Sequence, residues 1–369
     1  MDDLLSLTLH HLAHLVAFDT QNPPRNISTD GIFKYLREQL HGCTCTLIDH
    51  GAGAVSLHAV RGKPRYLWNV HLDTVPATPH WTSNPLQMHR ADDKVVGLGV
   101  CDIKSAAAAL VAATQSTTAD IALLFTSDEE ANDPRGVHAF LQLGIPYDAV
   151  IVAEPTQTKV RLAHRGIHSV CAHFSGYAGH ASNPLKSQQN AIHQAMLWGA
   201  RALQHVQTYD SKEFLGLHGL RFNIGHIVGG IKANVIAPSA VVRFGFRPLP
   251  SMDGDALLRA FAECSDSEPE RFEETFRGPC LPAGIGEAAK EKQRAAQVIA
   301  ESLELPIGSA VDFWTEASLF SAAGYVSFVY GPGDILQAHT ADEFVLLSQL
   351  ECYVHSLAKI LRSGPLSVQ

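Results

Sequence analysis

Short apolar segments with β-strand character alternate with helical segments, and this alternation limits the possible fold more than any other feature of the chain. Strands are predicted at residues 66–70, 121–126 and 149–153, and helices at 105–117 and 134–143 lie between them. Such alternation is typical of an α/β fold in which helices cover both faces of a sheet. The sequence therefore predicts a three-layer α/β/α domain.

The pattern changes in the middle of the chain. Residues 168–174, 221–229 and 240–246 are predicted as strands of an antiparallel sheet, and helices are predicted near 190–207 and 253–262. Several antiparallel strands with two helices in roughly a hundred residues are typical of a small α+β domain. We therefore expect this domain to be inserted into the larger one.

The α/β pattern returns after residue 279, so the chain is predicted to form two domains from three segments. Residues 1–165 are the first part of the larger domain, 166–279 the inserted domain, and 280–369 the second part. Two domains also agree with the length of 369 residues, which is long for a single hydrophobic core.

Charge and composition argue against several classes of protein. The formal net charge of −9 disfavours binding to nucleic acid or to an anionic membrane surface, because both need a basic face. The longest apolar stretch, Ala106–Ala113, is too short to span a bilayer, and residues 1–5 lack the basic start of a signal peptide. Seven scattered cysteines, an odd number, favour a reduced, cytoplasmic protein.

Side chains that can bind metal ions stand where five predicted strands end. They are His71 after strand 66–70, Asp102 after 95–100, Glu130 after 121–126, Glu154 after 149–153 and His339 after 325–330. Ligands of open α/β sheets bind beyond the carboxyl ends of the strands, so we expect these residues to share one site. Two histidines with several carboxylates suit Zn²⁺ or Co²⁺, and more than four ligands suit a pair of ions.

Two of these positions also suggest a division of roles. His71 and Asp73 lie on the same side of an extended chain, and an aspartate beside a ligating histidine usually fixes the orientation of the ring. Glu129 and Glu130 diverge, so one can bind metal while the other transfers the proton of a water molecule, as a metal-dependent hydrolase requires. Each residue alone would also suit a polar turn, a helix cap or a solvated loop.

Together, the order and spacing of these motifs resemble the acetylornithine deacetylase, succinyl-diaminopimelate desuccinylase, aminoacylase and carboxypeptidase G family of dinuclear zinc enzymes. The motifs are His71-Leu-Asp73-Thr-Val-Pro76, Gly99-x-x-Asp102-Ile-Lys104, Asp128-Glu129-Glu130, Glu154-Pro155, Gly176-x-x-Gly179-His180-Ala181-Ser182, Gly229-Gly230 with Asn234, Arg247-Pro248 and Ala338-His339. The resemblance covers essentially the whole chain. It implies a zinc-exopeptidase-like catalytic domain with an inserted, ferredoxin-like lid and dimerisation domain.

The resemblance also implies which residues would bind the two divalent ions, either Zn²⁺ or Co²⁺. One ion would be held by His71 and Glu154, and the other by Glu130 and His339. Asp102 would bridge the two ions.

The same resemblance assigns the remaining roles. Glu129 would be the general base and acid, and Asp73 would orient the neighbouring ligating histidine. His180 would stabilise the oxyanion, either within its own chain or from the partner subunit of a homodimer formed through the inserted domain. Asn234 and Arg247 would bind the α-carboxylate of a small-molecule substrate.

The run Thr315-Glu316-Ala317 resembles the acetylornithine deacetylase branch rather than the desuccinylases, and it adds Glu316 as a substrate-binding residue. The resemblance therefore implies an enzyme of arginine biosynthesis that removes the acetyl group from an N-acetyl-L-amino acid, with acetylated citrulline as the expected substrate. The alternatives are acetylated ornithine, a broader aminoacylase activity, a metallo-carboxypeptidase or dipeptidase, and a metal-binding protein without catalysis.

Overall fold

The computed structural model describes residues 3–184, 189–264 and 271–363. The chain divides into two compact units, of which the first comprises Met1–Leu162, Lys292–Gly308 and Thr315–Gln369 and the second comprises Ala163–Glu291 and Ser309–Trp314. We propose that the second unit is the inserted domain predicted at 166–279. None of the helices in the described ranges is long and apolar enough to cross a membrane.

Strands and helices follow one another along both units. The strands are β1 (Thr44–Gly51), β2 (Ala54–Arg61), β3 (Tyr66–His71), β4 (His89–Ala91), β5 (Lys94–Val96), β6 (Ile121–Thr126), β7 (Ala149–Val152), β8 (Ile167–Ser175), β9 (Glu213–Phe214), β10 (Leu217–His218), β11 (Arg221–Gly229), β12 (Ser239–Arg247), β13 (Arg271–Gly278), β14 (Ser327–Val329) and β15 (Phe344–Leu346). The helices are α1 (Asp3–Ala17), α2 (Ile32–Gln39), α3 (Lys104–Gln115), α4 (Arg135–Gln142), α5 (Ala191–Gln207), α6 (Gly254–Ala262), α7 (Glu287–Ser302), α8 (Ala317–Ala322) and α9 (Leu347–Ser363).

The main sheet of the first unit has the strand order β1-β2-β6-β3-β7-β14. β3 pairs in parallel with β6 and β7, and β14 is parallel to β7, so the carboxyl ends of these four strands meet at one edge. β1 and β2 complete the sheet as antiparallel strands. The predicted α/β class is confirmed, and the parallel strands define the edge at which a site was expected.

Helix α3 lies in the middle of the helical layer of this unit. Its residues 104–114 are all buried, and most of them are alanines. Because alanine side chains are small, α1 and α9 pack closely against it. The first turn of α3 begins two residues after Asp102. The packing of α3 therefore supports one of the predicted ligands.

One predicted strand of the first unit is shorter than expected. Residues 95–100 were predicted as a strand, but β5 ends at Val96 and belongs to a small antiparallel sheet with the order β15-β5-β4. Residues 97–102 form a loop in which Gly99 has a φ of 79°, a left-handed conformation that a strand does not contain. Asp102 therefore lies on a loop, and its expected position at the end of a main-sheet strand is wrong.

The second unit contains an antiparallel sheet with the order β11-β12-β8-β13. Helices α5 and α6 supply side chains to its core, in which Trp198 and Phe261 pack with Val170, Phe174 and Phe244. This arrangement confirms an α+β insert. β13 was not predicted, because its sequence Arg-Phe-Glu-Glu-Thr-Phe-Arg is dominated by charged side chains. An edge strand can carry such residues on a face that is not part of the core.

Candidate metal centre

The carboxyl ends of three neighbouring strands supply three of the predicted ligands. His71 is the last residue of β3, Glu154 follows β7 by two residues, and Glu130 follows β6 by four. β3 pairs with both other strands, which brings their ends together. Asp102 and His339 come from loops. The five predicted ligands therefore converge from separate parts of the first unit.

The first group of possible ligands is His71, Asp102 and Glu154, and all three are buried. The His71 Nε2 atom lies 3.1 Å from Asp102 Oδ1 and 3.9 Å from Glu154 Oε1. Burial lowers the pKa of His71, but hydrogen bonds with Asp102 and Asp73 outweigh it and raise that pKa well above its usual value. The ring nitrogen and the two carboxylates point into one small space.

The second group is Asp102, Glu130 and His339. The His339 Nε2 atom lies 3.1 Å from Glu130 Oε1 and 3.4 Å from Asp102 Oδ2. These two carboxylates raise the pKa of His339 to about 10. Asp102 thus contributes one oxygen to each group, which is the geometry expected of a bridging ligand.

The chemistry of these donors fits divalent cations. Each group offers one imidazole nitrogen and carboxylate oxygens, the ligands that Zn²⁺ and Co²⁺ accept. Burial, together with the neighbouring carboxylates, raises the pKa of Glu154 well above its usual value. Burial likewise raises the pKa of Glu130. Such a concentration of buried acids becomes favourable when positive charge is placed among them.

Asp73 links the two groups through its hydrogen bonds. Its Oδ1 lies 3.5 Å from His71 Nδ1, and the same ring nitrogen is 3.0 Å from the Asp73 carbonyl. Its Oδ2 accepts hydrogen bonds from the side-chain amide of Asn22 at 2.9 Å and from the backbone N–H of Glu130 at 3.0 Å. Asp73 is therefore placed where it can orient His71. The sequence analysis gave Asn22 no role in the site, so its contact with Asp73 is a finding of the structure.

Glu129 belongs to neither ligand group, although its neighbour Glu130 belongs to the second. Burial raises the pKa of Glu129 well above its usual value, and the charges of Glu130, Glu154 and Glu316 add to this effect. A carboxylate in this position is close to the ligands without being one of them. It is therefore available to exchange a proton.

Glu316 is buried beside the same cluster. Its Oε2 accepts a hydrogen bond from Thr126 Oγ1 at 3.3 Å. It also accepts one from the side-chain NH₂ of Asn69 at 3.1 Å when that amide is oriented so that both its oxygen and its nitrogen have partners. Within the described parts of the chain, its Oε1 has no hydrogen-bond partner. Burial raises the pKa of Glu316 to about 8, and the charge of Asp128 contributes. The residue predicted to bind substrate thus joins the acidic cluster of the first unit.

The predicted oxyanion donor His180 and the other two predicted substrate-binding residues, Asn234 and Arg247, belong to the second unit. His180 forms an antiparallel bridge with Val235, and the Ala181 N–H donates to the Asn234 carbonyl at 3.1 Å. His180 Nδ1 lies 2.7 Å from Ser182 Oγ, in an exposed loop. His180 and Asn234 are therefore neighbours near the start of β12.

Arg247 is the last residue of β12, so the nine residues of this strand separate it from the loop of His180 and Asn234. It is half-buried; burial lowers the pKa of its guanidinium, and the charge of Asp312 opposes this effect. The second unit thus places Arg247 and the His180 loop at opposite ends of one strand.

Residues 67–363 match the peptidase family M20/M25/M40. The chain belongs to this family. It is 62% identical to an N-acetyl-L-citrulline deacetylase of Xanthomonas campestris pv. campestris over 365 residues, which cover 99% of this chain and 100% of the relative. It is 30% identical to an acetylornithine deacetylase of Pectobacterium atrosepticum over 297 residues, which cover 77% of this chain and 76% of the relative. The predicted family resemblance is confirmed.

Solved structures support the fold independently of close sequence similarity. A tripeptidase from Staphylococcus aureus superposes with a TM-score of 0.71 at 18% identity, covering 97% of this chain and 98% of that one. Aminopeptidase PepT from Bacillus cereus gives a TM-score of 0.71 at 17% identity with the same coverage. At this level of identity the likeness establishes the fold and nothing further.

Proposed function

We propose that the protein hydrolyses the acetyl amide of N-acetyl-L-citrulline and releases citrulline and acetate, a step of arginine biosynthesis. The observation that carries this proposal is the 62% identity, over 99% of the chain, to an N-acetyl-L-citrulline deacetylase. The seven cysteines are free thiols, which agrees with a reducing compartment such as the cytoplasm.

The proposed enzyme uses two divalent ions, Zn²⁺ or Co²⁺. His71 and Glu154 would hold one ion, Glu130 and His339 would hold the other, and Asp102 would be shared between them; the short distances within the two groups support this assignment. When bound, such ions polarise the amide carbonyl and increase the acidity of water in the site.

Glu129 is the proposed proton carrier, because it belongs to neither ligand group, adjoins Glu130 in the chain and has a pKa well above its usual value. It takes a proton from water as the water oxygen attacks the acetyl carbonyl carbon. It returns that proton to the amide nitrogen as the C–N bond breaks, which gives acetate and a free α-amine. Asp73 holds the ring of His71 in place during these steps.

Three residues of the second unit are proposed to act on the substrate: His180 as the oxyanion donor, and Asn234 and Arg247 as the residues that bind its carboxylate. β12 has nine residues, which span about 30 Å when extended. An N-acetyl amino acid is much shorter than this, so the His180 loop and Arg247 of one chain cannot touch the same substrate molecule. We therefore propose that a second copy of the chain supplies one of these groups in a homodimer.

The surface of the second unit supports this dimer. β11 is an edge strand, and Ile227 and Val228 on it are 56% and 55% exposed. On the neighbouring helix α5, Met196 and Leu203 are 65% and 55% exposed. An unpaired strand edge with apolar side chains next to an apolar helix face is suited to association with another chain.

Acetylornithine deacetylation is the second candidate function, because relatives with that activity match 77% of the chain at 30% identity. The deciding experiment measures kcat/KM for N-acetyl-L-citrulline, N-acetyl-L-ornithine and a dipeptide with one preparation of known metal content. We expect kcat/KM for N-acetyl-L-citrulline to be at least about 10-fold higher than for N-acetyl-L-ornithine. A pocket that hydrogen-bonds a neutral ureido group would leave some of its polar groups without partners when the ornithine side chain is bound. Equal or faster hydrolysis of acetylornithine would establish the second candidate, and cleavage of the dipeptide alone would indicate a peptidase.

A further inference from the structure

We infer that Glu343 is a positioning residue that fixes Asp102 between the two ligand groups. The inference rests on the proposed function, since it assumes that Asp102 binds metal. Glu343 belongs to neither ligand group, and it lies four residues after His339, just before β15.

The Glu343 carboxylate accepts three backbone hydrogen bonds from the loop that carries Asp102. Oε2 accepts from the Gly99 N–H at 2.9 Å, and Oε1 accepts from the N–H groups of Cys101 at 2.7 Å and Asp102 at 2.9 Å. The Glu343 carbonyl also accepts from the Gly97 N–H at 3.2 Å. Glu343 is 2% exposed, so water cannot readily replace these bonds.

Lys104 provides a buried positive charge that interacts with Glu343. The ammonium group of Lys104 is fully buried, donates to the Phe18 carbonyl at 3.0 Å and interacts electrostatically with Glu343. Lys104 is the first residue of α3. A buried acid with a nearby buried cation and three N–H donors is a rigid support for a loop.

The support acts on both ligand groups at once. Asp102 Oδ1 faces His71 and Asp102 Oδ2 faces His339, so a shift of the Asp102 backbone changes the distances in both groups. The segment that carries His339 also carries Glu343, and β15 pairs with β5 immediately before the loop. Glu343 therefore holds two ligand-bearing segments in register.

The test is Glu343→Gln, which keeps the size of the side chain but replaces one acceptor oxygen by an NH₂ group. In either orientation of the amide, at least one of the three backbone donors loses its acceptor. Binding of Zn²⁺ is measured by calorimetric titration of metal-free protein. We expect both Zn²⁺-binding steps to weaken by about 10- to 100-fold and kcat to fall by about 10- to 100-fold, the range for residues that support metal ligands. KM should stay within about threefold, because Glu343 makes no contact with substrate.

Three further variants separate positioning from a loss of stability. Val345→Ala removes buried side-chain volume from β15 without touching the loop, so it should lower the melting temperature and leave Zn²⁺ affinity unchanged. Asp342→Asn removes a neighbouring carboxylate that accepts from Thr82, and it should resemble the wild type. Glu154→Gln should weaken only one of the two Zn²⁺-binding steps, because Glu154 belongs to one group.

Amide hydrogen exchange gives a readout that does not depend on metal. The N–H groups of Cys101 and Asp102 should exchange faster in metal-free Glu343→Gln than in metal-free wild type. Unchanged exchange and unchanged Zn²⁺ affinity in a folded variant would overturn the inference. If Glu343→Gln does not fold, Glu343→Asp is judged by the same measurements, since its shorter side chain cannot reach all three donors.

The failure of the proposed function would look different. In that case the wild type itself would bind no Zn²⁺ or would hydrolyse no N-acetyl amino acid. If the wild type binds Zn²⁺ and is active while Glu343→Gln matches it in both, only the positioning inference fails.

Discussion

The two units hold their candidate site residues in different ways. His71, Asp102 and Glu154 of the first unit are buried and contact one another, and two of them follow neighbouring parallel strands. His180 of the second unit is exposed, in a loop that is held by backbone hydrogen bonds to the segment Asn234–Ile236. The difference suggests that the first unit supplies preorganised chemistry and the second supplies recognition that is completed only when substrate or another chain is bound.

The largest expected effect tests the chemical role of the first unit. Glu129→Gln should reduce kcat by about 10³-fold, within the range for loss of a general acid–base group, while both metal ions remain bound. Activity assays with elemental analysis of the same sample check this. The matched control is Glu130→Gln, which should lose metal because Glu130 belongs to a ligand group. Loss of metal from Glu129→Gln, with activity restored by added Zn²⁺, would reverse the two roles.

The next effect tests the second unit. His180→Ala should reduce kcat by about 10²-fold through loss of an oxyanion donor, while metal content and KM change little. Ser182→Ala is the control, because it removes only the partner of the His180 ring. A change mainly in KM would indicate that His180 binds substrate in its ground state.

Mixing two inactive variants distinguishes a site within one chain from a shared site. An equal mixture of Glu129→Gln and His180→Ala chains should regain up to about a quarter of wild-type activity after subunit exchange. Random exchange makes half of the dimers heterodimers, and each heterodimer has one intact site out of two. Sedimentation and exchange of labelled chains verify that mixed dimers form. Verified exchange without recovery would place His180 in its own chain's site or outside catalysis.

The smallest expected effect concerns the stability of the second unit. His168 is buried, stacks on Phe246 and lies 2.5 Å from Glu274. Burial lowers the pKa of His168 below its usual 6.5, although the hydrogen bond to Glu274 opposes this effect. The unfolded chain therefore binds this proton more readily, so the contribution of His168 to stability is present above about pH 6.5 and is lost as the pH falls through its folded pKa.

The measurement is the melting temperature between pH 7 and pH 5. The wild type should lose more stability over this range than His168→Gln, which cannot take up the proton. His10→Gln changes an exposed histidine and should follow the wild type. If the melting temperatures of the wild type and of His168→Gln fall equally between pH 7 and pH 5, protonation of His168 does not limit stability.

The sequence predicted those parts of the site that depend on strand ends. His71, Glu130 and Glu154 could be located because strand periodicity and parallel pairing place the carboxyl ends of β3, β6 and β7 together. The structure also brings Asp102 and His339 to this edge, but from loops. The sequence analysis had selected both residues as ones that follow predicted strands, at 95–100 and 325–330.

Other parts depend on contacts that no local pattern contains. Glu343 reaches backbone N–H groups more than 240 residues earlier in the chain, and its sequence neighbourhood resembles an ordinary polar loop. Asn22 similarly contacts Asp73 through its side chain. β13 was missed because four of its eight residues are charged and only Phe272 of this strand packs against the core of the second unit. Two kinds of feature could therefore be found only in the structure: hydrogen bonds from a side chain to a distant segment of the chain, and edge strands that mix charged and apolar residues.

The close packing of helix α3 limits which substitutions this protein can accept. Because residues 104–114 are buried and α1 and α9 pack against the helix, almost no position on it can accept a larger side chain without displacing a neighbour. A displacement at its first turn would also be transmitted to the loop at residues 97–102, because the Lys104 N–H donates to the Gly99 carbonyl at 2.7 Å. Libraries intended to alter substrate preference should therefore leave this helix constant and diversify the exposed loops of the second unit.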